Sequence, residues 1–225
     1  RPRGRAQRDR PREDQEEVQE AGGQEEQREG GDQDREEEQP DPGKVFISER
    51  LDGRCEEVLR NGGSVLLLNY GTVAKGKGAE VEIGFSSIFW NTAWTNNQAP
   101  HTLGILCNPD HPVFAQFPTE YHSNWQWWDP VSHSQAMIID GFPPELKPLV
   151  QPIDTWFENR RLALVFEARA GNGKLIVSSI DMKDLKEDRP ASKQLLRSIL
   201  AYMNSESFNP ATIIDLNIVR SLAGR

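Results

Sequence analysis

The sequence predicts a mixed α/β domain that begins near residue 44 and is preceded by a disordered, charged tail. Three observations carry this prediction. Apolar runs at 64–68, 102–107 and 135–139 have the length and unbroken hydrophobicity of strands buried on both faces. Apolar residues recur at helical spacing over 51–59 and 195–203, before and after those runs. Gly171-Asn172-Gly173 separates two further apolar runs, 162–166 and 174–177, as a hairpin loop does.

The tail comes first. Residues 1–43 hold 15 Asp/Glu and 8 Arg, no Lys, and one aliphatic residue larger than Ala, Val18. Six of the Arg fall in residues 1–12, and fourteen of the acids in 13–43. So little apolar surface cannot offset the entropy lost on ordering, which predicts disorder. An Arg-rich arm, an acidic interaction tail and a solvated extension without a partner are the readings such a composition allows. Residues 44–225 keep 20 acids against 18 bases, all 18 aromatics and both cysteines. A folded part so close to neutral has no electrostatic footprint for nucleic acid. Two cysteines exclude a disulfide scaffold. No apolar run approaches the roughly 18 residues of a membrane span, so none is expected. No hydrophobic signal segment opens the sequence.

Within the folded part, Val45-Phe46-Ile47 is a short apolar run. Leu51, Cys55, Val58 and Leu59 then mark a helix, stopped at Asn61-Gly62-Gly63 because Gly takes the left-handed conformation without a Cβ penalty. Residues 64–68 read as a buried strand of a parallel sheet, and the Gly- and Lys-rich stretch 71–84 as an exposed loop. Residues 102–107 form a second buried strand, stopped by Asn108-Pro109, and 135–139 a third, ended by Asp140-Gly141. Leu149, Val150 and Ile153 suggest a fourth, and 162–180 a hairpin. Pro190 suits a first helical turn. Leu195, Leu196, Ile199, Leu200 and Met203 supply one apolar face of the helix behind it, and a last helix is expected over about 211–222. This order fits a three-layer, flavodoxin-like arrangement with a late antiparallel hairpin.

Ten of the eighteen aromatics fall in residues 85–128, including Trp90, Trp94, Trp125, Trp127 and Trp128. Glu120, His122 and Asn124 stand among them. Flat ring faces beside amides and carboxylates suit a sugar, which offers apolar C–H faces and a rim of hydroxyls. The same chemistry suits a protein interface anchored by Trp and Tyr. Core packing is the third reading, since Trp125 and Trp127 in an extended segment share a face.

Cys107 ends a strand, where hydrolase nucleophiles stand. A nucleophile elbow needs small residues two positions to either side, and Ile105 and Pro109 occupy those places. Cys107 therefore reads as a buried free thiol. The histidines at 101, 111, 122 and 133 contain no i,i+4 pair, so no metal site is expected, and no Walker or dinucleotide fingerprint calls for a cofactor. Glu120, Asp129, Asp154, Glu158 and Asp181 are candidates for an acid/base pair, which sequence spacing alone does not decide.

Residues 45–52, 56–67, 89–94, 100–106, 111–112, 117–128, 153–157 and 174–202 together resemble the C-terminal region of large bacterial proteins of glycoside hydrolase family 2, the β-galactosidase/β-glucuronidase family. The run Phe117-Pro118-Thr119-Glu120-Tyr121-His122-Ser123-Asn124-Trp125-Gln126-Trp127-Trp128 carries it most specifically. The resemblance implies a class I glutamine-amidotransferase-like α/β domain that has lost its nucleophile, in keeping with Cys107. It implies a non-catalytic accessory role on β-glycoside substrates such as β-galactosides. The catalytic glutamates of such proteins lie on a (β/α)₈ barrel, behind a sugar-binding β-sandwich and immunoglobulin-like domains. Motifs of those modules have no counterpart here, so no catalytic residue carries over, and this sequence reads as a fragment of a longer enzyme or a stand-alone relic. Trp90, Trp94, Trp125, Trp127 and Trp128 would face the rest of the enzyme or its sugar, with Glu120, His122 and Asn124 as polar partners. A stand-alone carbohydrate-binding module, or a hydrolase or amidotransferase using Cys107, are the alternatives. A periplasmic or extracellular location follows from the resemblance alone.

Overall fold

The first apolar run forms strand β1 (Val45–Ser48), and the helical pattern behind it forms α1 (Gly53–Arg60). Asp52 caps α1 by accepting the Cys55 N–H at 2.9 Å, and Gly62, at φ +83°, ends it in the left-handed conformation. Strand β2 (Ser64–Leu68) follows, parallel to β1 with Val45 opposite Ser64. The computed structural model describes residues 43–85, 100–183, 185 and 188–223. The charged tail, and the segment carrying Trp90 and Trp94, lie outside the described residues.

The late hairpin is β7 (Val165–Ala170) and β8 (Gly173–Ser178), joined by Gly171-Asn172. Gly171 has φ +59° and Asn172 no positive φ, the pattern of a type II′ turn. Gly173 has a different reason to lack a side chain: a Cβ there would meet the Gly63 carbonyl and the Leu59 backbone at 2.5–2.7 Å, so the hairpin presses directly on α1. Strand β8 pairs parallel with β2, which places β2 at the centre of a parallel trio.

The sheet then turns antiparallel. Its order is β1-β2-β8-β7-β5-β3, where β3 is Ile105–Cys107 and β5 is Val150–Pro152. Residues 102–107 were expected to be buried on both faces. Instead β3 is an edge strand, with Ile105 and Cys107 inward and Leu106 47% exposed. Only Met137–Ile138 of the 135–139 run is strand (β4), and it pairs with β6 (Leu162–Ala163) in a separate two-stranded sheet. The reason lies at Leu164. Its N–H bonds to the Val150 carbonyl and its carbonyl accepts the Ser179 N–H, so the run 162–170 changes sheets there.

Alternation along β2 divides the core. Leu66 and Leu68 face one cluster, built with Leu195 and Ile199 of α3 (Pro190–Met203). Val65 and Leu67 face the other, built with Cys55 and Leu59 of α1 and Val219 of the last helix. Helices therefore cover both faces of a mixed sheet. Pro190 starts α3 as expected. The last helix is shorter than expected, Leu216–Arg220 (α4), because residues 212–214 run beside β7 through hydrogen bonds to both backbone groups of Arg169. The remaining helix is α2 (Trp128–Ser132), which follows a 3-10 turn at Trp125–Trp127. Among the described residues no helix is long and apolar enough to cross a membrane.

Candidate functional site

The aromatic segment does not run extended. In the 3-10 turn at Trp125–Trp127, residues two apart point in different directions, so Trp125 and Trp127 do not share a face. Trp127 is sealed in the core. Its Nε1 donates to Thr119 Oγ1 at 2.7 Å, and its ring meets Phe117 and Phe114 edge-on, at 5.0 and 6.1 Å between centroids. This corrects the grouping of Trp127 with a docking or sugar surface. Trp125 and Trp128 point outward, 81% and 53% exposed. Phe85 stacks on Trp125 at 5.8 Å and meets Trp128 edge-on at 5.2 Å, so the three rings form one fixed cluster. Ser123 Oγ donates to the Phe85 carbonyl at 2.9 Å and holds the two segments together.

The cluster adjoins the free edge of the sheet. The Cys107 N–H bonds to the Tyr121 carbonyl, and Leu106 bridges to His122, so residues 121–122 partly cover β3. Tyr121 is itself 60% exposed and extends the apolar surface. Glu120 and His122 lie 3.5 Å apart, both largely in water, where such a pair contributes little. Asn124 is next to the rings. Its Oδ1 is buried with no hydrogen-bond partner among the described residues, and its side chain makes no cap to the 3-10 turn it precedes. Six of the eight residues singled out in the sequence therefore sit in one stretch, five of them at or beside this surface.

Catalytic candidates do not assemble. Cys107 is buried, its Sγ donates to the Glu120 carbonyl at 3.1 Å, and burial pushes its thiol up to about 11. Almost none is thiolate at neutral pH. Burial alone would raise Asp154, but Arg160 outweighs it with paired bonds of 2.8 and 3.1 Å and holds the carboxyl below its usual range. Burial likewise opposes ionisation of Asp129, and Ser192, Arg189 and His133 overcome it. Asp181 pairs with the same Arg189 at 3.1 Å. Glu158 is exposed. These carboxylates are engaged in structural ion pairs or solvated. Among the described residues no group of three or more His, Cys, Asp or Glu is placed to hold a metal.

Cavities among the described residues offer further candidates. A crevice of about 570 Å³ opens outside the carboxyl ends of β1 and β2, the usual ligand position in α/β sheets. Its polar groups are already engaged: Thr72 Oγ1 donates to Asn69 Oδ1 at 2.6 Å, and Glu49 pairs with Lys183 outside the crevice at 3.0 Å. A larger cavity of about 720 Å³ lies beside edge strand β3 and its neighbour β5. It brings together His111 and Glu167, 56 positions apart in the chain, with Tyr202 behind Glu167. Sequence reading missed this cluster. The one available signal was Glu167 in phase with Val165 along β7, a carboxylate on a core-facing register.

Residues 46–224 match the family described as a domain of unknown function, DUF8487. The chain belongs to that family. Among the described residues the DUF8487 match takes in α1 to α4 and both sheets except the first residue of β1. No curated protein matches the chain.

Proposed function

We propose that this DUF8487 domain is a non-catalytic accessory domain of a glycoside hydrolase family 2 protein acting on β-glycosides such as β-galactosides. In this reading it docks on the remaining domains through the Phe85–Trp125–Trp128 surface. The observation that carries the proposal is the pair of outward tryptophans, locked against Phe85, beside an edge strand with exposed Leu106 and Tyr121. Covering such side chains is worth roughly 1.5–3 kcal/mol each, and contiguous exposed apolar patches of this kind mark interaction sites. The protonated Cys107 and the engaged carboxylates are in keeping with chemistry housed on another module.

The finer fold assignment belongs to the same proposal. Parallel strands β1, β2 and β8, with α1 after β1 and α3 after β8 on opposite faces, support a three-layer, flavodoxin-like and class I glutamine-amidotransferase-like domain.

The test is size-exclusion co-elution with a family 2 β-galactosidase whose own C-terminal domain has been removed. The native chain should co-elute, and the Trp125→Ser/Trp128→Ser variant should elute alone. Separate elution of the native chain contradicts the proposal. The exposed Glu120–His122 pair beside the rings favours a second reading, direct sugar contact. Saturable quenching of Trp fluorescence by galactosides in the free chain would select it.

A further inference from the structure

We propose that the 720 Å³ cavity beside β3 and β5 is a binding site for a neutral small molecule that joins an apolar ring or chain to a hydroxyl group. The cavity shares Leu106 and Tyr121 with the docking surface, but the proposal rests on His111 and Glu167, which that surface does not use.

The polar end is set by two side chains. His111 caps the 3-10 turn at Pro112–Phe114, its Nδ1 accepting the Val113 N–H at 3.2 Å. An accepting Nδ1 carries no proton, so the ring proton sits on Nε2. Burial holds this imidazole below its ordinary pKa, which keeps it neutral at pH 7. Glu167 accepts the Tyr202 hydroxyl on Oε2 at 2.7 Å. Among the described residues its Oε1 accepts no hydrogen bond, and His111 Nε2 stands 3.8 Å away. That separation is too long for a direct bond. The contact is not a formed ion pair either, because burial pushes Glu167 up as it pushes His111 down.

One acceptor and one donor therefore line the same cavity with a gap between them. A hydroxyl oxygen about 2.8 Å from each closes it, donating to Oε1 and accepting from Nε2–H. Charged groups fit worse. An anion meets the Glu167 carboxyl, and an ammonium cannot accept from Nε2–H, which leaves that donor without a partner in the complex.

Beyond this end apolar side chains supply much of the wall, with Asn108, Glu145, Lys147, Gln151 and Thr212 between them, and part of it is held in place. Leu106, Ile139, Leu146, Leu149 and Leu162 form its apolar part. The wall at 139–146 is clamped by Arg161, whose guanidinium donates to the carbonyls of Ile139, Phe142, Pro143 and Leu146 at 3.0–3.4 Å. A wall fixed before binding leaves less ordering entropy to lose. The volume lies within the range of small-molecule sites.

The test is calorimetric titration of the full chain at pH 7 with cyclohexanol, cyclohexylammonium chloride and sodium cyclohexanecarboxylate. Amide chemical shifts locate any binding. Expected is saturable binding of cyclohexanol, with shifts at residues 106–111 and 146–151, and both charged isosteres weaker by about tenfold or more. Glu167→Gln should weaken cyclohexanol by about tenfold. Leu106→Trp, at an exposed position that leaves the core untouched, should block it while the unfolding midpoint stays at the native value. No saturable binding, or native affinity in Leu106→Trp, overturns the site. Equal affinity for a charged isostere, or native affinity in Glu167→Gln, overturns the hydroxyl assignment.

Discussion

Replacing Trp127 by Ala should be among the most damaging single changes in this domain, and replacing Trp125, two residues away, nearly silent. Trp127 is fully buried between Phe114 and Phe117, with its indole N–H bonded to Thr119. Truncating a buried Trp costs about 3–5 kcal/mol through lost transfer energy and the cavity left behind. The lost hydrogen bond adds little, because Thr119 is partly exposed and turns to water. About 4 kcal/mol is a large share of the roughly 5–15 kcal/mol that a domain possesses. Trp125 is four-fifths in solvent, and its removal should change stability by no more than about 0.5 kcal/mol. Guanidinium unfolding followed by far-ultraviolet circular dichroism measures both, as a displaced midpoint at unchanged slope. A cost below about 1 kcal/mol for Trp127→Ala, or equal costs for the two variants, would refute the inward and outward assignment.

Three other outcomes are expected. Cys107 should react with iodoacetamide at pH 8 at least about a hundred times more slowly in the native chain than in the unfolded one, given its burial and a thiol pushed to about 11. Fast native labelling would restore it as a nucleophile. Asp154→Ala should cost about 2 kcal/mol, less than a fully buried pair because Arg160 keeps partial contact with water. The Asp154 carboxyl is held below its unfolded value of 3.8, so its contribution is present above that pH and lost as pH falls through the folded value; a thermal-midpoint series in acid should be flatter in the variant. His111 is held below 6.5, so the unfolded chain binds the extra proton and stability falls as pH drops below about 6.5. His111→Gln should flatten urea midpoints over the range just below pH 6.5, and an unchanged slope would mean that another group titrates.

The elements readable from sequence were those whose pattern needs no distant partner. Strand β2 is a continuous apolar run because it is paired and covered on both sides, and α3 announces itself through Pro190 and one apolar face. The hairpin was legible because Gly171-Asn172 separates two strands that pair with each other. Elements fixed by long-range pairing were not. Nothing local shows that Leu164 hands its chain from one sheet to another, or that Leu106 lies on an edge. At the site, the spacing of Trp125 and Trp127 suggested a shared face only under an extended backbone, which the 3-10 turn replaces. The His111–Glu167–Tyr202 cluster joins three distant segments, and only the register of Glu167 hinted at it.

The most direct measurement is the fluorine spectrum of chain labelled with 5-fluorotryptophan, compared in H₂O and D₂O with and without the truncated family 2 enzyme. Expected for the free chain are clear solvent isotope shifts at Trp125 and Trp128 and none at Trp127, with the first two abolished in the complex. Solvent-shielded signals for Trp125 and Trp128 in the free chain, or exposure that survives complex formation, would contradict docking through those rings.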